Sequence, residues 1–235
     1  MTKLKLSPRL SAVADWIPEN ARLADIGTDH AYLPVSLLLD GKINAAIAAD
    51  VRSGPLEHAM RTADEYGVAE RLRFCLCDGL TGIAPEDCDT VAIAGMGGET
   101  IAHILAAAPW AKQSHTLVLQ PQSTQNVLRA FLAENGYEIQ AERVVREGER
   151  WYPVLLVRGG TMQALFPGEL WCGRVQDWIE QPERLDYLNW LLRRTQAQLI
   201  GMERAKQVDG QKQDELSAVS LFLQEQIEQI RRKMR

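Results

Sequence analysis

Asp25, Gly27, Asp29 and His30 fall within the run Asp25-Ile26-Gly27-Thr28-Asp29-His30-Ala31-Tyr32-Leu33-Pro34, directly after the apolar lead-in Leu23-Ala24. An apolar run ending in a glycine turn that opens a helix lets backbone approach a nucleotide-type ligand at a strand end. Only Gly27 fills that role here, because Asp29 and Ala31 occupy the alternate positions where further glycines would stand. A carboxylate so placed repels a pyrophosphate, which needs helix-terminal N–H groups and no adjacent negative charge. The same charge suits a sulfonium cation. The expected cofactor is therefore S-adenosyl-L-methionine rather than NAD or ATP, and the pattern asks for no metal.

Further polar segments recur where strands are expected to end. Asp50 lies after a second apolar run, where a carboxylate accepts ribose hydroxyls; the alternative is a cap before Ser53-Gly54-Pro55. Asp78-Gly79 follows a third run, as an acceptor for the cofactor's adenine amino group or as a plain Asp-Gly turn. Gly95-Met96-Gly97-Gly98 follows a fourth, where glycines leave room for a flat ligand or merely turn the chain. Gln120-Pro121-Gln122 closes a fifth with amides that both donate and accept. In an open α/β sheet these segments share one edge, where ligands bind.

The elements that would carry them read in alternation. Ser7-Pro8 caps a short helix with Leu10, Val13, Ala14 and Ile17 on one face. Arg22 to Ile26 is a first strand, Tyr32 to Leu39 a helix, Ala45 to Ala49 a second strand, and Leu56 to Tyr66 a helix stopped by Gly67. Strands follow at 72–77, 90–94 and 116–119, with helices at 99–107 and 127–135. The runs 137–145 and 152–157, joined by Glu147-Gly148-Glu149-Arg150, read as a hairpin. A doubly wound parallel sheet finishing in a hairpin is the Rossmann-like plan of class I methyltransferases.

Past Gly159-Gly160 the composition turns to Leu, Gln, Glu and Arg. Leu185, Leu188, Leu192, Leu199 and Met202 form one helical stripe, and Leu216, Leu223, Ile227, Ile230 and Met234 a second beyond Asp209-Gly210. Trp171, Val175 and Trp178 suggest one more helix. The expected organisation is an S-adenosylmethionine-binding domain over 1–160 and a helical coiled-coil domain over 161–235.

The chain has 235 residues and a net charge of −5. Residues 1–160 hold 15 Lys/Arg against 20 Asp/Glu, and residues 161–235 hold 11 of each. An acidic protein is a poor general nucleic-acid binder, so such a partner must be met by local basic clusters. Arg193-Arg194, Arg204, Lys206, Arg231-Arg232-Lys233 and Arg235 offer them, although any solvated coiled coil also carries charges. Cys75, Cys77, Cys88 and Cys172 have no zinc-like spacing and are expected as reduced, mostly buried thiols. No apolar stretch is long enough to span a membrane, so a soluble, cytoplasmic protein is expected. Whether it is a monomer or a weak dimer is not encoded in these patterns.

Taken together, Lys5-Leu6-Ser7, the run from Asp25 to Pro34, Ala94-Gly95-Met96-Gly97-Gly98 and Leu119-Gln120-Pro121 resemble the bacterial tRNA (adenine-22-N1)-methyltransferase family, TrmK, over essentially the whole chain. The resemblance implies S-adenosylmethionine-dependent methylation of tRNA, with the helical tail helping to grip the substrate. Gln122 departs from the Gln-Pro-Asn that many members carry. On this reading Asp29 accepts the adenine N6 amine and stabilises the cation formed at N1, or else caps the following helix. Tyr32 stacks on the base or simply packs. His30 tunes Asp29 or contacts phosphate, or is simply structural, as a lone histidine beside a cofactor loop more often is. Gly98, Gln120, Pro121, Gln122, Arg193 and Arg194 face the substrate. The competing readings are a methyltransferase of a small molecule or protein, and a non-catalytic S-adenosylmethionine-binding module.

Overall fold

Short apolar strands flanked by helices can bury both faces of a sheet, and β1 (Arg22–Ile26) and β2 (Ala45–Asp50) do so, each exposed only at its first residue. In this computed structural model, which describes residues 4–174, 183–203 and 209–233, the chain forms two compact units, Met1–Met162 and Gln163–Arg235. The first unit runs α1 (Pro8–Trp16), β1, α2 (Tyr32–Leu39), β2, α3 (Ser53–Glu65), β3 (Leu72–Leu76), β4 (Thr90–Gly97), α4 (Gly98–Ala107), α5 (Ala111–Ser114), β5 (Thr116–Ser123), α6 (Gln125–Glu134), β6 (Tyr137–Glu147) and β7 (Arg150–Gly159).

Among the described residues, the strands form one sheet in the order β3-β2-β1-β4-β5-β7-β6. β3, β2, β1, β4 and β5 are parallel, whereas β7 is antiparallel to both β5 and β6. The order reverses between β1 and β4, which opens a crevice at their carboxyl ends. Two apolar cores flank the sheet: Ile26, Ile93, Ile101, Leu117 and Leu128 belong to one, Val13, Leu23, Leu38, Ala92 and Val118 to the other. The hairpin turns at Gly148-Glu149, where Gly148 has φ +62° at the first turn position.

Several boundaries differ from the sequence reading for local reasons. β4 continues to Gly97 and β5 to Ser123, so Gly95-Met96-Gly97 and Gln120-Pro121-Gln122 lie within strands rather than after them. Their pairing persists through register shifts at Met96, which accommodate Pro121 opposite. α3 starts at Ser53, three residues before Leu56, because Pro55 fits the first turn of a helix. The short α5 carries too few residues for a visible period.

One buried ion pair braces this unit: Arg129 on α6 and Glu142 on β6, both almost inaccessible, hydrogen-bond to each other. The next residue of β6 clamps α1. Arg143 Nη2 donates to the Ala12 carbonyl and, at 3.0 Å, to Asp15 Oδ2, with its guanidinium 4.7 Å from the Trp16 ring.

The second unit contains α7 (Pro167–Cys172), α8 (Arg184–Glu203) and α9 (Gly210–Lys233), with α9 packed on both others. On α9 the buried positions are Leu216, Val219, Ser220, Leu223 and Ile227, close to the expected stripe. On α8 the buried face is Arg184, Tyr187, Leu188, Leu191 and Thr195. Leu185, Leu192, Leu199 and Met202 are only half buried. The stripe is therefore rotated, because Tyr187 occupies an inward position that a leucine-only pattern passes over. Trp171 ends in α7, its Nε1 donating to Glu215 Oε1 at 3.1 Å, while Val175, Trp178 and Met234 lie outside the described residues.

Candidate functional site

At the switch between β1 and β4 lies an open cleft of about 500 Å³. Its walls come from the β1–α2 loop (Asp25, Gly27 to Leu33), the end of β4 (Ala94, Gly95), Gln122 of β5, Glu147 of β6 and the first turn of α1 with its lead-in (Lys5 to Ser7, Arg9, Leu10). The loop is tightly specified. Gly27 has φ +77°, and a Cβ there would collide with the Met96 side chain. Two left-handed residues, Gly27 and Ala31, then turn the chain into α2.

Asp25 sits at the base of this cleft. Burial pushes its carboxyl up to about 6. The neighbouring Thr28 hydroxyl tempers that rise but is buried without a hydrogen bond of normal geometry. A buried carboxyl and an orphaned hydroxyl on one wall suit a cationic, hydrogen-bonding ligand, which would draw Asp25 back to its ionised form. The donor set thus fits a sulfonium and ammonium-bearing cofactor.

Asp29 is 71 % exposed at the cleft, with Oδ2 3.8 Å from His30 Nε2. It does not cap α2, whose N-cap is Ala31 with no side-chain hydrogen bond. The capping alternative therefore falls away. His30 stacks nearly parallel with two rings, Tyr32 at 5.0 Å and 6° and His58 of α3 at 4.8 Å and 9°. Tyr32 is 42 % exposed and lines the cleft. Ligand atoms of Asp29, His30 and His58 lie within 4.8 Å of one another. Imidazole lone pairs lie in the ring planes, so two nearly parallel stacked rings do not converge on one ion without unstacking.

The structure separates the other expected residues. Asp50 and Asp78 lie on the β2 and β3 side of the same edge but outside the cleft wall; Asp50 Oδ1 accepts the Arg52 N–H at 2.8 Å. Gly79 has φ +55°, and a Cβ there would press on Ile104 at 2.8 Å, so packing alone requires glycine. Gly97 and Gly98 also lie outside the cleft wall. A Cβ on Gly98 would strike the Thr124 carbonyl, so close packing demands glycine there, whereas one on Gly97 would meet only the Ser123 hydroxyl at 3.2 Å, a tight contact. Met96 packs over Gly27. Gln120 is 0 % exposed and Pro121 is buried, which removes both from direct ligand contact; Gln122 alone of the three reaches the cleft. Arg193 and Arg194 are exposed on α8, the latter 4.7 Å from the Trp190 ring, while Arg204, Lys206 and Arg235 lie outside the described residues.

Sequence reading missed Arg9, Thr28, His58 and Glu147. None carries a local signature. Arg9 is at the second position of α1, His58 is inside a helix, and Glu147 reads as an ordinary hairpin charge. Cys88 and Cys172 are buried as expected, but Cys75 and Cys77 are half exposed, with their sulfurs 3.4 Å apart.

The match to known proteins covers both units. Residues 6–155 match a family described as a methyltransferase domain. The chain is 38 % identical over 172 residues to the tRNA (adenine(22)-N(1))-methyltransferase of Bacillus subtilis, spanning 72 % of this chain and 71 % of that one. The crystal structure of the B. subtilis m1A22 tRNA methyltransferase TrmK superposes with a TM-score of 0.82 at 32 % identity, covering 95 % of this chain and 99 % of the other. M. capricolum TrmK, solved with the cofactor product S-adenosyl-homocysteine, gives 0.73 at 26 % identity, covering 97 % of each chain.

Proposed function

Because the chain belongs to the tRNA (adenine(22)-N(1))-methyltransferase family, we propose that it transfers a methyl group from S-adenosyl-L-methionine to N1 of adenine 22 in tRNA. The observation that carries this reading is the cleft at the β1–β4 switch, walled by Asp25, Asp29 and Tyr32 of β1 and the loop that follows it. S-adenosyl-L-methionine, when bound, supplies an electrophilic methyl group on a sulfonium.

Asp25, Gly27, His30 and Gly95 would hold that cofactor, with Asp50, Asp78 and Gly79 along the same edge toward its ribose and adenine. Adenine N1 already carries an in-plane lone pair, so no general base and no cysteine nucleophile are needed. Positioning is most of the task. Asp29 accepts the N6 amine and stabilises the positive charge that arrives on the ring. Tyr32, exposed at the cleft, offers a face for the base. The target nucleotide must first leave its own stack to reach these groups.

Arg193 and Arg194, on the exposed face of α8, would meet tRNA phosphates, and the helical unit would serve as a grip of coiled-coil type. Among the described residues no helix is long and apolar enough to cross a membrane, and a tRNA-modifying role supports a cytoplasmic location. The test is nucleoside mass spectrometry after incubating the purified protein and cofactor with an unmodified tRNA transcript and its adenine-22 substitution. N1-methyladenosine in the first and none in the second is expected; no methylation of either would refute the assignment.

A further inference from the structure

Arg9 enters the cleft wall from the first turn of α1 and is fixed from three directions. Its Nη1 donates to Gln120 Oε1 at 2.8 Å, its main-chain N–H donates to Glu147 Oε2 at 3.1 Å, and its guanidinium carbon lies 5.9 Å from the centre of the Tyr152 ring. Gln120 is wholly inaccessible. Its Oε1 also accepts the Gly95 N–H at 3.1 Å, and its Nε2 donates to the Pro121 carbonyl at 2.9 Å. A buried amide engaged in this way meets no ligand itself; it aims the guanidinium.

A Cβ built on Gly95, which has φ +87°, would lie 3.5 Å from both Arg9 Nη1 and Gln122 Nε2. Two side-chain donors therefore close on the same spot above the end of β4. Gln120 takes one guanidinium N–H, and the rest have no other partner among the described residues. A pinned, cationic, multi-donor group beside an amide donor is matched to an oxyanion.

Position decides which oxyanion. Asp25, Asp50 and Asp78 lie on the β1-β2-β3 half of the edge, whereas everything that holds Arg9 comes from β5, β6 and β7. Arg9 thus stands across the switch from the acidic cofactor residues, with Gly95 as its one neighbour among the groups assigned to the cofactor. Nor does it suit the reacting edge of the purine, where a fixed cation would oppose the charge formed at N1. A phosphate remains.

We propose that Arg9, assisted by Gln122, grips a backbone phosphate of the nucleotide drawn into the cleft, and that Gln120 is its positioning residue. This rests on the tRNA reading above. A nucleotide held by its phosphate at one end and by Tyr32 and Asp29 at the other is fixed in both reach and rotation.

The test uses full-length Arg9→Ala and Arg9→Lys proteins, with thermal melts to confirm folding. Affinity for unmodified tRNA is measured by fluorescence anisotropy across a KCl series, and S-adenosyl-L-methionine affinity by calorimetry. For Arg9→Ala we expect the slope of log K against log[KCl] to become shallower by about 0.7 to 1, the loss of one phosphate contact. The tRNA KM should rise about tenfold, with cofactor affinity nearly unchanged. Arg9→Lys should keep the slope while losing part of the affinity; should Arg9→Ala not fold, a Lys variant with a diminished slope would overturn the proposal by itself. An unaltered slope in Arg9→Ala overturns it, as does weakened cofactor binding with tRNA binding intact, which would assign Arg9 to the cofactor carboxylate. Methylation of tRNA by the wild-type protein in the same assay separates failure of this inference from failure of the function it rests on.

Discussion

On the β1-β2-β3 half of the sheet's carboxyl edge, acidic side chains are delivered by the strand ends themselves: Asp25 by β1, Asp50 by β2 and Asp78 just past β3. On the β4-β5-β7-β6 half the groups at the cleft are gathered from afar. Arg9 comes from α1, its partner Gln120 from 111 positions away and Glu147 from 138 away. The first half is a property of local chain turns, so it forms wherever those strands form. The second depends on α1, the hairpin and β5 meeting correctly. Cofactor binding and substrate binding should therefore fail independently.

That independence can be broken or sharpened by substitution. Asp29→Ala stands at the junction and should have the largest effect: methyl transfer falls by about a thousandfold, as for removal of a group that stabilises developing charge, while cofactor affinity stays within a few fold. Single-turnover assays with calorimetry check both. A fully active variant would remove Asp29 from the mechanism.

Asp25→Asn should weaken cofactor binding about ten- to a hundredfold, the worth of a hydrogen bond to a charged group, and spare tRNA binding. It carries a pH signature as well. The native Asp25 carboxyl ionises near 6 rather than 3.8, so the folded protein binds the proton more tightly than the unfolded chain. Wild-type stability should fall as pH rises from about 4 to 6 and stay lowered above that. Unliganded Asp25→Asn should then melt higher than wild type at pH 8, with the gap closing toward pH 4. Cofactor affinity of wild type should climb as pH rises through about 6 and that of the variant should not. A flat wild-type profile would contradict the role given to Asp25.

Gln120→Ala probes the other half. Releasing Arg9 should raise the tRNA KM about three- to tenfold, the range of one modest hydrogen bond, with cofactor affinity unmoved. Loss of cofactor affinity would show that the halves are coupled. Ser7→Ala should do least. Its hydroxyl accepts the Leu10 N–H at a long 3.4 Å, and its loss should lower stability by about 0.5 to 1 kcal/mol, read as a small drop in melting temperature.

The same contrast explains what was legible in the chain. β1, α2 and the hairpin were readable because burial on both faces and a glycine at the turn leave local marks. So was the glycine loop around Gly27, whose left-handed backbone admits few residues. Gln120 was read as a ligand group because a glutamine at a strand end looks the same whether its amide points outward or is sealed inside. Gly98 reads as room for a ligand, but the Thr124 backbone uses that room. Arg9 and His58 could not be found, since their meaning lies in partners remote in the chain. On α8 the inward Tyr187 hid the true face from a leucine count.

The Arg9 N–H to Glu147 bond has a consequence for biosynthesis. α1 leaves the ribosome before the hairpin, yet one of its leading amides waits for an anion 138 positions behind it. Until the hairpin emerges, the outer wall of the cleft cannot close. The nascent protein is thus able to assemble the acidic side of its pocket before the wall opposite is complete.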